Sequence, residues 1–204
     1  MRFDAAFRQA QKDLEGQSPY VIASKSGAEY ADGKFRIAFF NRTFLLTYPD
    51  LKFEELGGAG PPPTWLQLMV FHYLITAKGI PVADEWVAYR QLPGASLFER
   101  KLQSAIVPLA RAFDNNLELF RKAGLALGGT PMSRTGDAAF RFLALPRLPM
   151  ACIFHLGEEE LPSSFNILYD GAACFYLPTE DLQLLGIYLS QALIRAAEKA
   201  GKGS

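Results

Sequence analysis

The segment GGAGPPP, residues 57–63, limits how this chain can fold more than any other stretch. Glycine leaves the backbone too free to favour a regular element, and proline lacks the N–H group that helices and sheets use. We therefore predict a linker or surface loop at 57–63. The chain has 204 residues, a length typical of one domain, so we predict a single domain over 1–204.

A short helix followed by hairpins is predicted before this loop. Residues 3–14 place apolar side chains at helical spacing with charges between them, which is typical of an amphipathic helix. Further on, Asp32-Gly33 and Asn41-Arg42 separate short runs rich in Phe, Ile, Thr and Tyr, and Asp-Gly between such runs is a strong hairpin signal. Three antiparallel strands are predicted near 27–31, 34–40 and 43–48.

Helices and a second group of strands are predicted after the loop. The segment 64–78 is apolar on nearly all sides, which indicates a buried helix. Helical patterns fill the middle third, three or four β-rich pieces follow within 138–178, and a closing helix is predicted over 179–199. The predicted fold class is α+β, with antiparallel strands in N-terminal hairpins and C-terminal strands packed against several helices.

Charge and hydropathy exclude two classes of partner. The chain has 21 basic and 21 acidic residues, whereas proteins that bind nucleic acids normally carry a basic excess that neutralises phosphates. The longest apolar run, WLQLMVFHYLITA, is too short to span a bilayer. The N-terminal segment contains acidic residues and lacks the apolar core of a signal peptide. We expect no nucleic-acid partner, no membrane insertion and a cytoplasmic location.

Motifs for common catalytic and cofactor sites are absent from the sequence. It lacks the phosphate-binding patterns GxxxxGKS/T and GxGxxG and the GxSxG elbow of many hydrolases. The two histidines, His72 and His155, lie far apart, and neither has a cysteine or carboxylate at ligand spacing. We predict no metal site and assign no catalytic residue, and the sequence does not identify a cofactor.

His72 is the titratable residue of greatest interest because it lies within VFHYLI, in the helix predicted to be buried. One interpretation is a neutral core histidine that is hydrogen bonded to a backbone carbonyl. The other is an axial ligand or hydrogen-bond donor in an apolar pocket, which is the setting that a tetrapyrrole needs. His155 ends a predicted strand and is expected at the rim of its sheet.

Polar and aromatic residues cluster at two further points. In PTEDLQLLG, Thr179 is predicted to cap the closing helix, and Glu180 and Asp181 lie at the positive end of its dipole. The same two carboxylates are candidate acid–base groups. In EWVAYRQLPG, Trp86, Tyr89 and Arg90 form either a ligand or partner surface or a cap over the core.

Four segments, in a fixed order, resemble a known family. They are LQLMVFHYLITAKGIPV, WVAYRQLPGASLFE, FRFLALPRLPMACIF and SFNILYDGAACFYLPTEDLQLLG. Together they resemble the bacterial and archaeal family called domain of unknown function 3786. The resemblance runs from about Tyr20 to the final helix, and departures from the family are expected at 173–175.

The resemblance implies no established activity. Family members occur mainly in anaerobes, and some relatives are joined to iron–sulfur cluster segments, which points to metallocofactor or one-carbon metabolism. This chain has two cysteines, so it cannot hold a four-cysteine cluster alone. Such a role would need an iron–sulfur or corrinoid protein partner, or a different cofactor. The family-like positions that could face a ligand are His72, Tyr73, Trp86, Arg90, Tyr176, Glu180 and Asp181.

Three functions remain as hypotheses. The first is a cytoplasmic accessory or binding module that holds a small molecule or a tetrapyrrole-type cofactor in an apolar pocket near His72. The second is an enzyme that uses His72 or His155 together with the Glu180 and Asp181 carboxylates. The third is a protein–protein adaptor without a small ligand, which would use Trp86 and its neighbours.

Overall fold

A computed structural model describes residues 2–58, 60–159 and 161–201. These residues form helices and strands that are numbered in chain order. The helices are α1 (Arg2–Leu14), α2 (Pro19–Ser26), α3 (Thr64–Thr76), α4 (Glu99–Phe113), α5 (Leu117–Ala126) and α6 (Thr179–Gly201). The strands are β1 (Glu29–Ala31), β2 (Lys34–Phe39), β3 (Arg42–Thr47), β4 (Phe53–Glu55), β5 (Trp86–Ala88), β6 (Thr130–Met132), β7 (Ala138–Leu145), β8 (Leu148–His155) and β9 (Ser164–Asp170).

The first four strands form an antiparallel sheet in the order β1-β2-β3-β4. Its inner face follows from alternation along β2, where Phe35, Ile37 and Phe39 are fully buried. Helix α3 covers this face, since the Phe71 ring lies 5.3 Å from the Phe53 ring. The same Phe71 ring also contacts α1, since its centroid lies 4.9 Å from that of Phe7.

Local signals predicted the first hairpin but not the elements around it. Asp32 and Gly33 both have positive φ and connect β1 to β2, as the Asp-Gly dipeptide predicted. Helix α2, which begins at Pro19, is not among the predicted elements. Proline is well suited to the first position of a helix, where its missing N–H costs nothing. Gly27 ends α2 with φ +74°, so β1 begins later than predicted.

The second sheet is also antiparallel, with strand order β5-β9-β8-β7-β6. Helices α4, α5 and α6 cover one face of it, with α6 packed against both α4 and α5. Between the helices and the sheet lies a group of phenylalanine rings with centroids 4.5–5.6 Å apart. Its members are Phe113, Phe120, Phe140, Phe154 and Phe165.

The two sheets meet at the turn between β2 and β3. The Phe40 N–H donates to the carbonyl oxygens of Leu143 and Ala144 on β7, at 3.1 and 3.3 Å. The Asn41 side-chain amide donates to the carbonyl of Ala126 at the end of α5, at 3.0 Å. Buried residues from both sheets belong to one hydrophobic cluster. The α+β fold with antiparallel strands is therefore confirmed.

The described part of the 57–63 segment contains neither helix nor strand, as its glycines and prolines predicted. It connects β4 to α3 across the surface. Among the helices of the described residues, none is long and apolar enough to cross a membrane.

Candidate functional site

An open groove runs between α3 and α6. Its volume is about 230 Å³, and the Trp65 and Tyr188 rings that line it have centroids 6.1 Å apart. We call this feature the α3–α6 groove. It is lined by Trp65, Leu184, Ile187, Tyr188 and Gln191. Four of these side chains are aliphatic or aromatic, so the groove offers apolar contact with one carboxamide beside it.

Helical spacing explains why these residues share a surface. On α6, Leu184, Tyr188 and Gln191 are four and three residues apart and therefore lie on one face. Trp65 and His72 are seven residues apart and share a face of α3 in the same way. Since Trp65 contacts Tyr188 and His72 contacts Asp181, the two helices run in opposite directions.

His72 and Asp181 form the most distinctive polar contact beside this groove. Their Nδ1 and Oδ2 atoms are 2.6 Å apart, although the residues are 109 positions apart in the chain. The imidazole is 33% exposed and the carboxylate 11% exposed. Asp181 precedes Leu184 by three residues, which is about 4.5 Å along the helix axis. The pair therefore lies next to one end of the α3–α6 groove.

The contact with Asp181 determines which nitrogen of the His72 ring carries the proton. An ionised carboxylate can only accept hydrogen bonds, so Nδ1 carries the proton and donates it to Asp181. The Asp181 hydrogen bond raises the pKa of His72 above its usual value near 6.5, partial burial opposes the shift, and the Asp181 and Glu180 charges add to it. The second ring nitrogen, Nε2, has no hydrogen-bond partner among the described residues. In the neutral ring it is an oriented electron-pair donor.

The surroundings of His72 differ from both sequence-based interpretations. The histidine is not enclosed in the core, and its partner is a carboxylate rather than a backbone carbonyl. Helix α3 is apolar nearly all round, as predicted, yet His72 lies on its half-exposed side while Phe71 and Tyr73 are fully buried. The apolar surface beside it is an open groove rather than a closed pocket.

Tyr73 and Tyr176 lie in the interior, away from solvent. The Tyr73 hydroxyl donates to the Ser26 carbonyl at 2.6 Å and accepts from the Arg147 N–H at 2.9 Å. The Tyr176 hydroxyl donates to the carbonyl of Ile80. The two rings stack with centroids 5.8 Å apart. Because both hydroxyls bind backbone groups, these tyrosines join the α3–β5 connection and α2 to the core.

Trp86 and Arg90 do not line the α3–α6 groove. Trp86 pairs with Asp170 in the sheet, and Arg90 is exposed beside a separate cavity of about 100 Å³ between α4 and β9. Tyr89, which lies between them in the chain, donates its hydroxyl to the Thr179 carbonyl at 3.0 Å. Burial, and then the charge of Glu180, raise the pKa of Tyr89 to about 12.

The first turn of α6 differs from its predicted capping. Thr179 is the first residue of α6, and its hydroxyl donates to the Pro93 carbonyl at 2.6 Å. Glu180 is exposed, while Asp181 is buried and turned toward His72. The positive end of the helix dipole favours both carboxylates there, as expected. Asp181 also has a partner that is distant in the chain, namely His72.

The family model described as a domain of unknown function, DUF3786, matches residues 18–192. The chain belongs to the DUF3786 family. No curated protein and no solved structure matches it significantly. The family description names no activity, so the geometry of this DUF3786 chain is the basis for its proposed function.

The described residues of this DUF3786 chain do not form a complete metal site. Within residues 2–58, 60–159 and 161–201, no group of three or more His, Cys, Asp or Glu side chains could hold a metal ion. Cys152 is fully buried, and burial raises the pKa of its thiol. His155 ends β8 in a half-buried position, as predicted. His72 could therefore supply one ligand to a metal that a cofactor brings with it, but not a complete site.

Sequence reasoning missed the groove itself. The buried stripe of α6 includes Leu182, Leu185, Leu189 and Leu193, which are inaccessible to solvent. A second, half-exposed stripe lies beside it and includes Leu184, Ile187 and Tyr188. Two adjacent apolar stripes make a face wider than one core contact requires. The extra width of this apolar face is the sequence feature that indicates a groove on α6.

Proposed function

We propose that this DUF3786 protein is a binding module that holds a small apolar molecule or a tetrapyrrole-type cofactor in the α3–α6 groove. The observation that carries the proposal is the 2.6 Å contact between His72 Nδ1 and Asp181. A histidine that ligates a metal usually donates its other ring N–H to a carboxylate or carbonyl, which orients the ring and makes it more basic. His72 has this arrangement beside an apolar surface.

The residues fit such a ligand on one side. Trp65, Ile187 and Tyr188 would supply apolar and aromatic contact, and His72 Nε2 would supply one ligand to a metal or accept one hydrogen bond. Small-molecule sites commonly enclose about 300–1,000 Å³, which exceeds the groove volume of about 230 Å³. A bound tetrapyrrole would therefore keep one face exposed. That face is where an iron–sulfur or corrinoid protein partner would make contact, in the cytoplasm where we expect this protein.

The test is cofactor binding by protein purified without oxygen. We expect an absorption band of the Soret or corrinoid type, or its appearance on titration with haemin or cobalamin. His72→Ala should abolish ligation while the circular dichroism spectrum stays unchanged. Asp181→Asn should weaken it about 10–100-fold, since the ring loses its orienting partner. His155→Ala is the matched control, because the chain has no histidines besides these two.

Two outcomes would contradict the proposal. Equal binding by wild-type and His72→Ala protein would remove His72 from the site. A bare mass of 22.6 kDa in native mass spectrometry, with no uptake of either cofactor, would refute the tetrapyrrole form and favour a protein–protein adaptor.

The same contact also supports an enzymatic function. A histidine oriented by a carboxylate is a common general base, and its neutral Nε2 accepts the proton. Turnover of this kind should rise with pH as His72 loses its proton. Because Asp181 raises the pKa of His72, Asp181→Asn should move that rise to lower pH. A rate profile that the substitution leaves in place would exclude His72 as the base.

A further inference from the structure

Arg195 lies at the end of the α3–α6 groove that is farther from His72. It follows Gln191, a lining residue, by one helical turn on α6. Its guanidinium carbon is 5.9 Å from the centroid of the Tyr188 ring, which also lines the groove. An arginine on a helix extends toward the helix N-terminus, so this side chain reaches back over the groove rather than away from it.

The guanidinium charge of Arg195 faces no carboxylate within ion-pair distance in the described part of the chain. Arg42, which also contacts Tyr188, differs in this respect. Glu55 binds Arg42 through two hydrogen bonds of 2.7 and 2.5 Å, and this is the main reason that the pKa of Arg42 is raised. Of the two described cations that contact Tyr188, Arg195 is the one that no carboxylate binds, so it is available to an anion.

The distance between the two ends of the groove limits the ligand. Asp181 and Tyr188 are seven residues apart on α6, which corresponds to about 10 Å along the axis. The His72 ring is at the level of Asp181, and the Arg195 guanidinium is over Tyr188. A ligand that touches both ends therefore needs an apolar body of about this length. Gln191 lies beside the cation and can donate a further hydrogen bond.

We infer that the ligand of the α3–α6 groove carries an acidic group, which Arg195 binds. This inference rests on the proposed function and specifies the class of its ligand, namely an apolar molecule with an anionic end. Guanidinium groups bind carboxylates and phosphates through two parallel hydrogen bonds. The Tyr188 ring holds the guanidinium by a cation–π contact and leaves its N–H groups free for the anion.

Two fluorescent probes with the same aromatic body test this inference. Anilinonaphthalene sulfonate carries an anionic group, and phenylnaphthylamine lacks it. Wild-type protein should bind the sulfonate more tightly than the neutral probe. Arg195→Gln should weaken sulfonate binding about tenfold, as expected for one charge-assisted hydrogen-bond pair, and should leave phenylnaphthylamine binding unchanged. Arg195→Lys should restore part of the loss.

The control is Arg100→Gln, which removes an exposed arginine of α4 and should alter neither probe. Equal affinity of the wild-type protein for both probes, or an Arg195→Gln variant that keeps the preference for the sulfonate, would overturn the inference and leave the proposed function standing. Failure of the wild-type protein to bind either probe would instead show that the groove does not hold apolar molecules, which refutes the proposed function itself.

Discussion

At the scale of single residues, the His72–Asp181 contact links the charge of the histidine to the stability of the fold. The folded state raises the pKa of His72 above 6.5, so it binds the proton more tightly than the unfolded chain does. The stabilisation is therefore fully present below about pH 6.5 and is lost as the pH rises through the raised value. Glu180 adds to the effect from the same turn of α6.

Asp181→Asn should remove this pH dependence. We expect the wild-type protein to exceed the variant in free energy of unfolding by more at about pH 6 than at about pH 9. Urea denaturation at the two pH values measures the difference. His155→Gln serves as the control for general effects of pH on the chain. A gap between wild-type and Asp181→Asn protein that widens as the pH rises would show that the linkage has the opposite sign.

Substitution of Tyr73 distinguishes a role in fold stability from a role in ligand binding. Its hydroxyl is fully buried and pairs with the Ser26 carbonyl and the Arg147 N–H. Tyr73→Phe leaves both backbone groups without this partner, which should cost about 1–3 kcal/mol of unfolding free energy. Tyr20→Phe is the control, because Tyr20 is 72% exposed. Cofactor affinity should stay unchanged at a temperature where both variants are folded, and a loss of affinity would return Tyr73 to the site.

At the scale of elements, α6 has different contacts on different faces. One stripe is buried against α4, α5 and the second sheet, and the next stripe lines the groove. The close approach to the sheet is made at Gly186. A Cβ atom there would collide with the Tyr169 hydroxyl and would lie 2.7 Å from Leu102. The Tyr169 hydroxyl itself donates to the Leu182 carbonyl at 2.9 Å.

Gly186→Ala should therefore destabilise the protein. Alanine is favoured over glycine in a helix by about 1 kcal/mol, but overpacking a well-filled core costs about 1–3 kcal/mol. Because the added methyl group would displace both a buried hydroxyl and a leucine, we expect the cost to prevail in thermal unfolding. Gly201→Ala in the same helix is the control, since nothing lies within 4 Å of its added Cβ. A more stable Gly186→Ala variant would show that α6 can shift without cost.

At the scale of the whole molecule, the structural features that can be predicted from the sequence are those determined by residues close together in the chain. Phe35, Ile37 and Phe39 alternate on β2, and Asp32-Gly33 selects its turn, so this hairpin is readable locally. The turn from β2 to β3 falls at Phe40-Asn41 rather than Asn41-Arg42. Phe40 has φ +51° there, and contacts with the distant β7 hold it in place.

The candidate site also combines features that local residues determine with features that depend on distant contacts. His72, Glu180 and Asp181 could be singled out from their residue types, and a histidine–carboxylate pair was one of the hypotheses. Nothing in the spacing identifies Asp181 as the partner of a residue 109 positions earlier. Trp65 and Tyr188 likewise share the groove only because α3 and α6 are brought together by the rest of the fold. Contacts of this kind depend on packing between elements, and no local pattern specifies them.

The junction between the two sheets also determines how the molecule should unfold. Tyr188 of α6 contacts the Phe39 and Phe40 rings of the first sheet, with centroids 4.9 and 5.2 Å away, and the Phe40 N–H donates to β7. Because the hydrophobic cluster continues across this junction, neither sheet can lose its packing without exposing the other. We expect one cooperative transition, as is common for a single domain of this size.

The two tryptophans make this expectation testable, since Trp65 on α3 reports on the first sheet and Trp86 on β5 reports on the second. Trp86→Phe leaves only the first probe, and Trp65→Phe leaves only the second. When each variant is unfolded in urea, its fluorescence should change at the same midpoint as its circular dichroism. Phe40→Ala, added to each, should lower both midpoints together, because the junction stabilises both sheets. A fluorescence midpoint that departs from circular dichroism in either variant would mean that the sheets unfold separately and that 1–204 is two domains.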